Sequence, residues 1–333
     1  MVRAAKAVVF CAGLVAALAV ADFVMKPSLG TVNGWAAAET TRGEVDVLAL
    51  GSSRTYCTVQ PMEMWRHAGV TALDLTGAIQ IMPVTLQYLK QALATEKPKV
   101  VFVELYMVGK RSTFDTTVAH KNLDYMPLGL PKVEGVLSSV TPGGWFELLF
   151  PLQTYHSRWT ELKNTDFSLN KHTSYAYGRG AYYLHEASVV PTQPMLDSIG
   201  EEAYQRDLVV VKEMARSCDQ KGVRLVLYTS PSPYRLAVGN TLLLDRLQAD
   251  LGADYPGVSF LDLNPVAKQL KIDPSTDYKD ELHVNHRGAV VLSRWLADYL
   301  LREHGVQDRR RSAFASRWND ELATYDSVFK AEW

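Results

Sequence analysis

Val45-Asp46-Val47-Leu48-Ala49-Leu50-Gly51-Ser52-Ser53 is the stretch on which the fold turns. Apart from Asp46, its first six residues are apolar on both alternating faces. That is the pattern of a strand buried between two layers, not of one with a wet face. A glycine and two serines follow, so the strand ends in a tight turn that releases a hydroxyl at its carboxyl end. The same rhythm continues downstream. Strands are expected at 70–75, 100–105, 223–230 and 258–263, with helices at 61–67, 82–95, 201–221, about 241–251 and about 287–304. Strands alternating with helices predict an α/β fold, a three-layer α/β/α sandwich with a flavodoxin-like parallel sheet covered on both faces. Ligands in such sheets bind beyond the carboxyl ends of the strands. Ser52, Ser53 and Asp262 all fall at such ends.

The stretch from about 110 to 200 breaks the rhythm. It is rich in Tyr, Trp, His, Pro and Gly, and is expected to be a cap inserted over the active edge of the sheet. There it would set substrate specificity; a purely structural cap is the other reading. The organisation expected is therefore an N-terminal apolar segment (1–26), a polar linker (27–43) with Pro27, Gly30, Asn33 and Gly34, one domain (44–304), and a tail helix (305–333) around Phe314, Trp318 and Phe329.

In the first segment Arg3 and Lys6 precede the uninterrupted apolar run 7–21. Its length lies between a signal-peptide core of about 7–15 residues and a spanning helix of about 20. An uncleaved signal anchor is the favoured reading, and cleavage after Ala19-Val20-Ala21 is the alternative. Under both, the basic residues stay cytoplasmic and the rest of the chain is exported. With 333 residues, 47% apolar and 21% charged, the chain can bury a substantial core. A net charge of −1 without a basic run gives no case for nucleic acid. Cys57 and Cys218 could pair or remain buried thiols. No Cys-x-x-Cys or His-Glu-x-x-His spacing points to zinc, so no metal site is expected.

Chemistry enters with a second motif far downstream, Asp280-Glu281-Leu282-His283, followed by Val284-Asn285 and Gly288. A serine freed from a strand and a late Asp-x-x-His loop are the two halves of a hydrolytic triad. Ser53 is the expected nucleophile, because its hydroxyl and its own N–H can face one pocket. His283 would take the serine proton and return it to the leaving group, and Asp280 would orient the ring. Asp277 is the weaker carboxylate and His286 a decoy; Cys57, four residues past Ser53, suits packing better than attack. Oxyanion donors are expected from the N–H groups of Ser53 and Gly77, the latter in Leu73-Asp74-Leu75-Thr76-Gly77. Each motif alone also fits an ordinary turn or a helix cap. Their order and position together make the enzyme reading lead. Arg54, His156, Arg158 and Trp159 are weaker substrate-binding candidates: the arginines for an anionic group, Trp159 for stacking on a sugar.

These residues resemble the SGNH (GDSL-type) hydrolase superfamily, over about residues 45 to 304. Gly51-Ser52-Ser53 stands for its nucleophile block, Gly77 for its glycine block, and Asp280-x-x-His283 with Asn285 and Gly288 for its last block. Leu50-Gly51-Ser52-Ser53-Arg54-Thr55-Tyr56-Cys57, with Gln60-Pro61 and Tyr155-His156-Ser157-Arg158-Trp159, is similar to a membrane-anchored branch containing DltD and alginate O-acetyltransferase proteins. The resemblance implies serine-dependent acyl transfer, O-acetyl above all, at hydroxyls of a cell-surface glycan or exopolysaccharide. It also implies a membrane-bound O-acyltransferase as partner, and no cofactor. Two departures stand out. Ser52 replaces the usual aspartate, and the Gly-x-Asn-Asp block is absent, the strand ending instead in Glu104-Leu105-Tyr106. The second favours a specialised transferase or a weak hydrolase over a generic carboxylesterase. It also keeps open a catalytically silent accessory protein.

Overall fold

Strand β1 (Val47–Gly51) is buried along its whole length. In the computed structural model, which describes residues 2–28, 34–171, 176–184, 187, 199–233 and 236–330, it pairs in parallel with β2 (Ala72–Thr76) and β3 (Val100–Glu104). β4 (Arg224–Thr229) and β5 (Ser259–Asp262) complete a five-stranded, all-parallel sheet of order β2-β1-β3-β4-β5. This is the flavodoxin-like order expected from the sequence.

The helices, in chain order, are α1 (Val2–Met25), α2 (Gly34–Thr40), α3 (Ser53–Thr58), α4 (Pro61–Ala68), α5 (Met82–Thr95), α6 (Thr116–Leu123), α7 (Leu130–Ser139), α8 (Trp145–Leu149) and α9 (Leu152–Tyr155). They continue with α10 (Glu201–Gln220), α11 (Leu236–Leu251), α12 (Leu263–Gln269), α13 (His286–His304) and α14 (Ala315–Lys330). Side-chain alternation along the strands divides the core. Leu48, Leu50, Val101, Val103, Leu225 and Leu227 pack on one face with α5, α10 and α11. Val47, Ala49, Val100, Phe102, Val226 and Tyr228 pack on the other with α4, α12 and α13. The central strands β1 and β3 are buried on both faces, which is why they read as continuous apolar runs, whereas the edge strand β5 is half-buried.

Three expectations change. Part of the expected linker is α2, whose Trp35, Ala36 and Ala37 are buried; this apolar triplet packs where a polar linker would be solvated. Gly30 and Asn33 lie outside the described residues. The inserted segment does not simply roof the sheet edge. Its α7 packs on α5, extending one helical layer, and its later turns pack on α1. Among the described residues, Tyr182 N–H donates to Tyr56 O of α3 at 2.9 Å, and Leu184 O accepts from His286 N–H of α13 at 2.7 Å. Residues 172–175, 185–186 and 188–198 of the insertion lie outside the described set. Finally, α11 begins five residues before the helix expected there, and α12 was not anticipated at all.

The tail closes a third cluster. Trp318 and Tyr325 of α14 pack with Met62 and Trp65 of α4, and Trp318 Nε1–H donates to Glu44 at 3.1 Å. Cys57 and Cys218 are both free and buried. The N-terminal helix is long and apolar enough, over Arg3–Met25, to cross a membrane. A membrane anchor and a signal sequence both fit that length and composition.

Candidate active site

Gly51 ends β1 with φ +142°, and a Cβ there would lie 2.6 Å from Thr55 Oγ1 and 2.8 Å from Glu104 Cβ. Only glycine allows the chain to leave the strand so abruptly. Ser52 then caps α3 in extended conformation, and Ser53 is the first helical residue, half-buried where Ser52 is buried. The side chain that faces the opening is therefore that of Ser53.

The opposing loop is built as tightly. Tyr278 and Val284 form an antiparallel bridge, and Lys279 N–H donates to His283 O at 2.9 Å. That hairpin sets Asp280 and His283 side by side. Asn285 caps α13, accepting from Gly288 N–H at 3.2 Å and donating from Nδ2 to Thr276 O at 2.8 Å. A Cβ on Gly288 would lie 2.5 Å from Asp277 O, so the loop rests directly on the helix.

The two halves meet. Ser53 Oγ lies 2.8 Å from His283 Nε2. His283 Nδ1 lies 2.9 and 3.0 Å from the two Asp280 oxygens. Asp280 Oδ1 also accepts from the Leu282 and His283 N–H groups at 2.8 and 2.9 Å. Burial pushes the Asp280 carboxyl up, but the hydrogen bonds from His283 and these backbone donors outweigh it and hold the carboxyl below its usual range. Ser53, His283 and Asp280 are thus each within hydrogen-bond reach of the next, the geometry a nucleophile, a base and its orienter would need.

This depressed pKa has a consequence for stability. Folded Asp280 binds its proton more weakly than the unfolded chain does, so its contribution is complete above the ordinary carboxylate range. It is lost as the pH falls through the depressed value. Wild type and Asp280→Asn are therefore expected to differ in melting temperature near neutrality and to converge in acid. Thermal scans at about pH 7 and about pH 3 measure this, and a constant difference would contradict the assignment.

The other expected site residues fare differently. Gly77 N–H points at Gly51 O, 3.4 Å away, prolonging the β1–β2 ladder rather than facing the serine. Its lack of a side chain matters for another reason: a Cβ would lie 2.0 Å from Asn122 Oδ1. Arg54 is 1% exposed and cannot meet a substrate. Its Nη2 donates to Ser230 O at 2.6 Å, Pro231 O at 3.2 Å and Ser232 Oγ at 2.6 Å, and its Nε is 3.8 Å from Glu104. Arg158 donates to Met25 O and, at 3.1 Å, to Asp166, tying the insertion to the end of α1. His156 pairs with Gln153 O at 2.6 Å, and Trp159 is exposed; their turn packs on α1 and α9. None of these four residues takes part in the Ser53–His283–Asp280 hydrogen bonds. Asp277, the alternative carboxylate, is engaged by Asp273 N–H at 2.8 Å and Arg287 at 3.0 Å.

Two neighbours of the serine were not singled out from the sequence. Tyr56, three residues on along α3, stacks edge-on against Tyr182 at 5.7 Å. Burial raises its phenol pKa, Cys57 adds to this, and the Ser53 side chain opposes it. The i, i+3 spacing from Ser53 was the available signal. Glu104, where the resembled family carries its missing block, is buried, with its pKa raised by burial against the pull of Arg54 and of the Tyr106 and Ser230 N–H groups. It ties β3 to the loop after β4. Burial also raises the Cys57 thiol well above its usual range, keeping it protonated and a poor nucleophile. A cleft of about 640 Å³ opens beside the loop after β4, with Ser232, Asp262, Asn264 and Tyr278 in its wall.

No protein-family model matches this chain, and no curated protein matches it.

Proposed function

We propose that this protein is a membrane-anchored, extracytoplasmic serine acyltransferase of SGNH type, moving an acyl group, O-acetyl above all, to or from hydroxyls of a cell-surface or secreted polysaccharide. The observation that carries the reading is the unbroken relay Ser53 Oγ···His283 Nε2 at 2.8 Å and His283 Nδ1···Asp280 at 2.9 Å. In this reading Ser53 Oγ attacks the acyl carbonyl while His283 Nε2 takes its proton. The donor oxygen leaves with that proton, and the acyl group stays on Ser53. An acceptor hydroxyl then repeats the cycle, giving its proton to His283 and releasing the ester. Asp280 keeps the ring in the tautomer that presents an unprotonated Nε2 to the serine. Ser53 N–H, in the first turn of α3 where no intrahelical acceptor exists, suits an oxyanion donor.

The N-terminal basic pair and apolar helix support anchoring with the domain outside. A membrane-bound O-acyltransferase that supplies acyl groups across the bilayer is the partner this arrangement suits. The engagement of Gly77 N–H by Gly51 O favours a second reading, an accessory protein with little chemistry of its own, because one oxyanion donor is occupied. The deciding experiment traps the intermediate. The full chain in mild detergent is mixed with p-nitrophenyl acetate, quenched in acid and digested. The expected result is an acetyl adduct on the peptide carrying Ser53; an unmodified peptide under conditions that acetylate surface lysines would exclude the acyl-enzyme.

A further inference from the structure

A second cavity, of about 1020 Å³, is lined by none of Ser53, His283 and Asp280: it lies between α1, α2 and the insertion. One wall is Val15, Leu18, Ala19 and Phe23 of α1. The facing wall includes Leu128, Phe146, Phe150 and Leu169, which are 78%, 61%, 56% and 93% exposed. Side chains this apolar gathered at one place mark a contact surface, not chance exposure.

The helix is not loosely tethered there. Lys171 Nζ donates to Val24 O at 3.0 Å and Lys26 O at 2.8 Å, and Arg158 donates to Met25 O. Lys26 Nζ in turn donates to Asp124 O at 3.1 Å. The last carbonyls of α1 are thus capped by cations of the insertion, which fixes how the helix leaves the domain.

Depth follows from that docking. The apolar helix Arg3–Met25 makes about 34 Å, little more than the about 30 Å hydrocarbon core, so its middle must lie inside the bilayer if it spans. Val15 lies about 9 Å along the helix from Ala21, inside the membrane if α1 spans it. Residues sharing a cavity with Val15 and Leu18 then share their depth. The polar members of the cavity, among them Asp22, Lys26, Asp124 and Lys132, gather at the other end, where Lys26 and Lys132 both donate to Asp124 O.

We propose that the insertion is a membrane platform. Leu128, Phe146, Phe150 and Leu169 enter the leaflet beside α1, and the cavity between them and the helix takes an acyl chain of a bilayer phospholipid. Its volume and apolar walls suit a flexible hydrocarbon chain. The inference rests on the reading of α1 as a retained anchor. It makes the insertion an interfacial element instead of a substrate cap.

Photolabelling tests it. The full chain is reconstituted in phosphatidylcholine vesicles containing a phospholipid with a diazirine midway along its acyl chain, irradiated, and mapped by peptide mass spectrometry. Adducts are expected on the 125–171 region as well as on α1. The double variant Phe146→Glu/Phe150→Glu, which places charges where hydrocarbon should be, is expected to lose the insertion adducts and keep those on α1. Adducts confined to α1 in the wild type overturn the proposal and leave a protein segment as the occupant of the cavity. Absence of all adducts, with the chain released by alkaline carbonate, overturns it together with the anchoring reading. Fluorophosphonate labelling of Ser53 in the same sample reports separately on the active site.

Discussion

Ser53→Ala is expected to abolish labelling by a fluorophosphonate and to lower kcat on p-nitrophenyl acetate by on the order of 10⁴-fold or more. The substitution removes one half-buried oxygen and leaves His283 and Asp280 in place, so the fold should be unaffected. With the His283–Asp280 pair intact but no serine hydroxyl, the remaining rate comes from His283 acting on water and from binding alone. His283→Ala should cost about as much, and the double variant little more, because the residues act as a unit and their losses do not add. Steady-state rates on the full chain measure all three. A Ser53→Ala protein that kept wild-type turnover would assign the activity to other groups and remove the basis of the acyltransferase reading.

Arg54→Ala is expected to destabilise the fold by about 3–5 kcal/mol, a drop of roughly 5–8 °C in melting temperature for a domain of this size. Arg54 is fully buried, caps the carbonyls of Ser230 and Pro231, and lies 3.8 Å from Glu104. Its removal strands a buried carboxyl and two carbonyls that no water reaches. Part of the loss should return in Arg54→Ala/Glu104→Gln, since the second change removes the uncompensated acid; the shortfall from additivity reads the coupling of the pair. Arg54 is next to the nucleophile in sequence, so an intact fold with impaired turnover in Arg54→Ala would instead restore it as a substrate-binding group. Differential scanning and steady-state rates of wild type, Arg54→Ala, Glu104→Gln and the double variant separate these outcomes.

The contrast between Arg54 and Ser53 shows where sequence reading worked. Ser53 follows a buried strand and a glycine, a context that dictates its placement whatever the rest of the chain does. Asp280 and His283 are three residues apart on one loop, so their pairing is local too. The strands were legible because parallel strands buried on both faces need continuous apolar runs, and their alternation with helices left few topologies.

Residues whose role depends on distant partners were misjudged. Arg54 looked like an anion clamp beside the serine, because nothing in its neighbourhood in sequence announces Glu104 or the loop at Ser230. Gly77 looked like an oxyanion donor until its N–H was seen to continue the sheet. Arg158 looked like a clamp for an anionic group, whereas its partners are the end of α1 and Asp166. In each case the deciding contact crosses a wide gap in the chain.

What the sequence determined by itself was therefore the sheet, the placement of Ser53 at the end of β1 and the Asp280–His283 pair, all set by local pattern and short spacing. What only the tertiary structure decided was the 2.8 Å meeting of Ser53 with His283, the burial of Arg54, and the docking of the insertion on α1. These depend on which surfaces the packed layers bring together. Side-chain periodicity records that a residue is buried, but not against what.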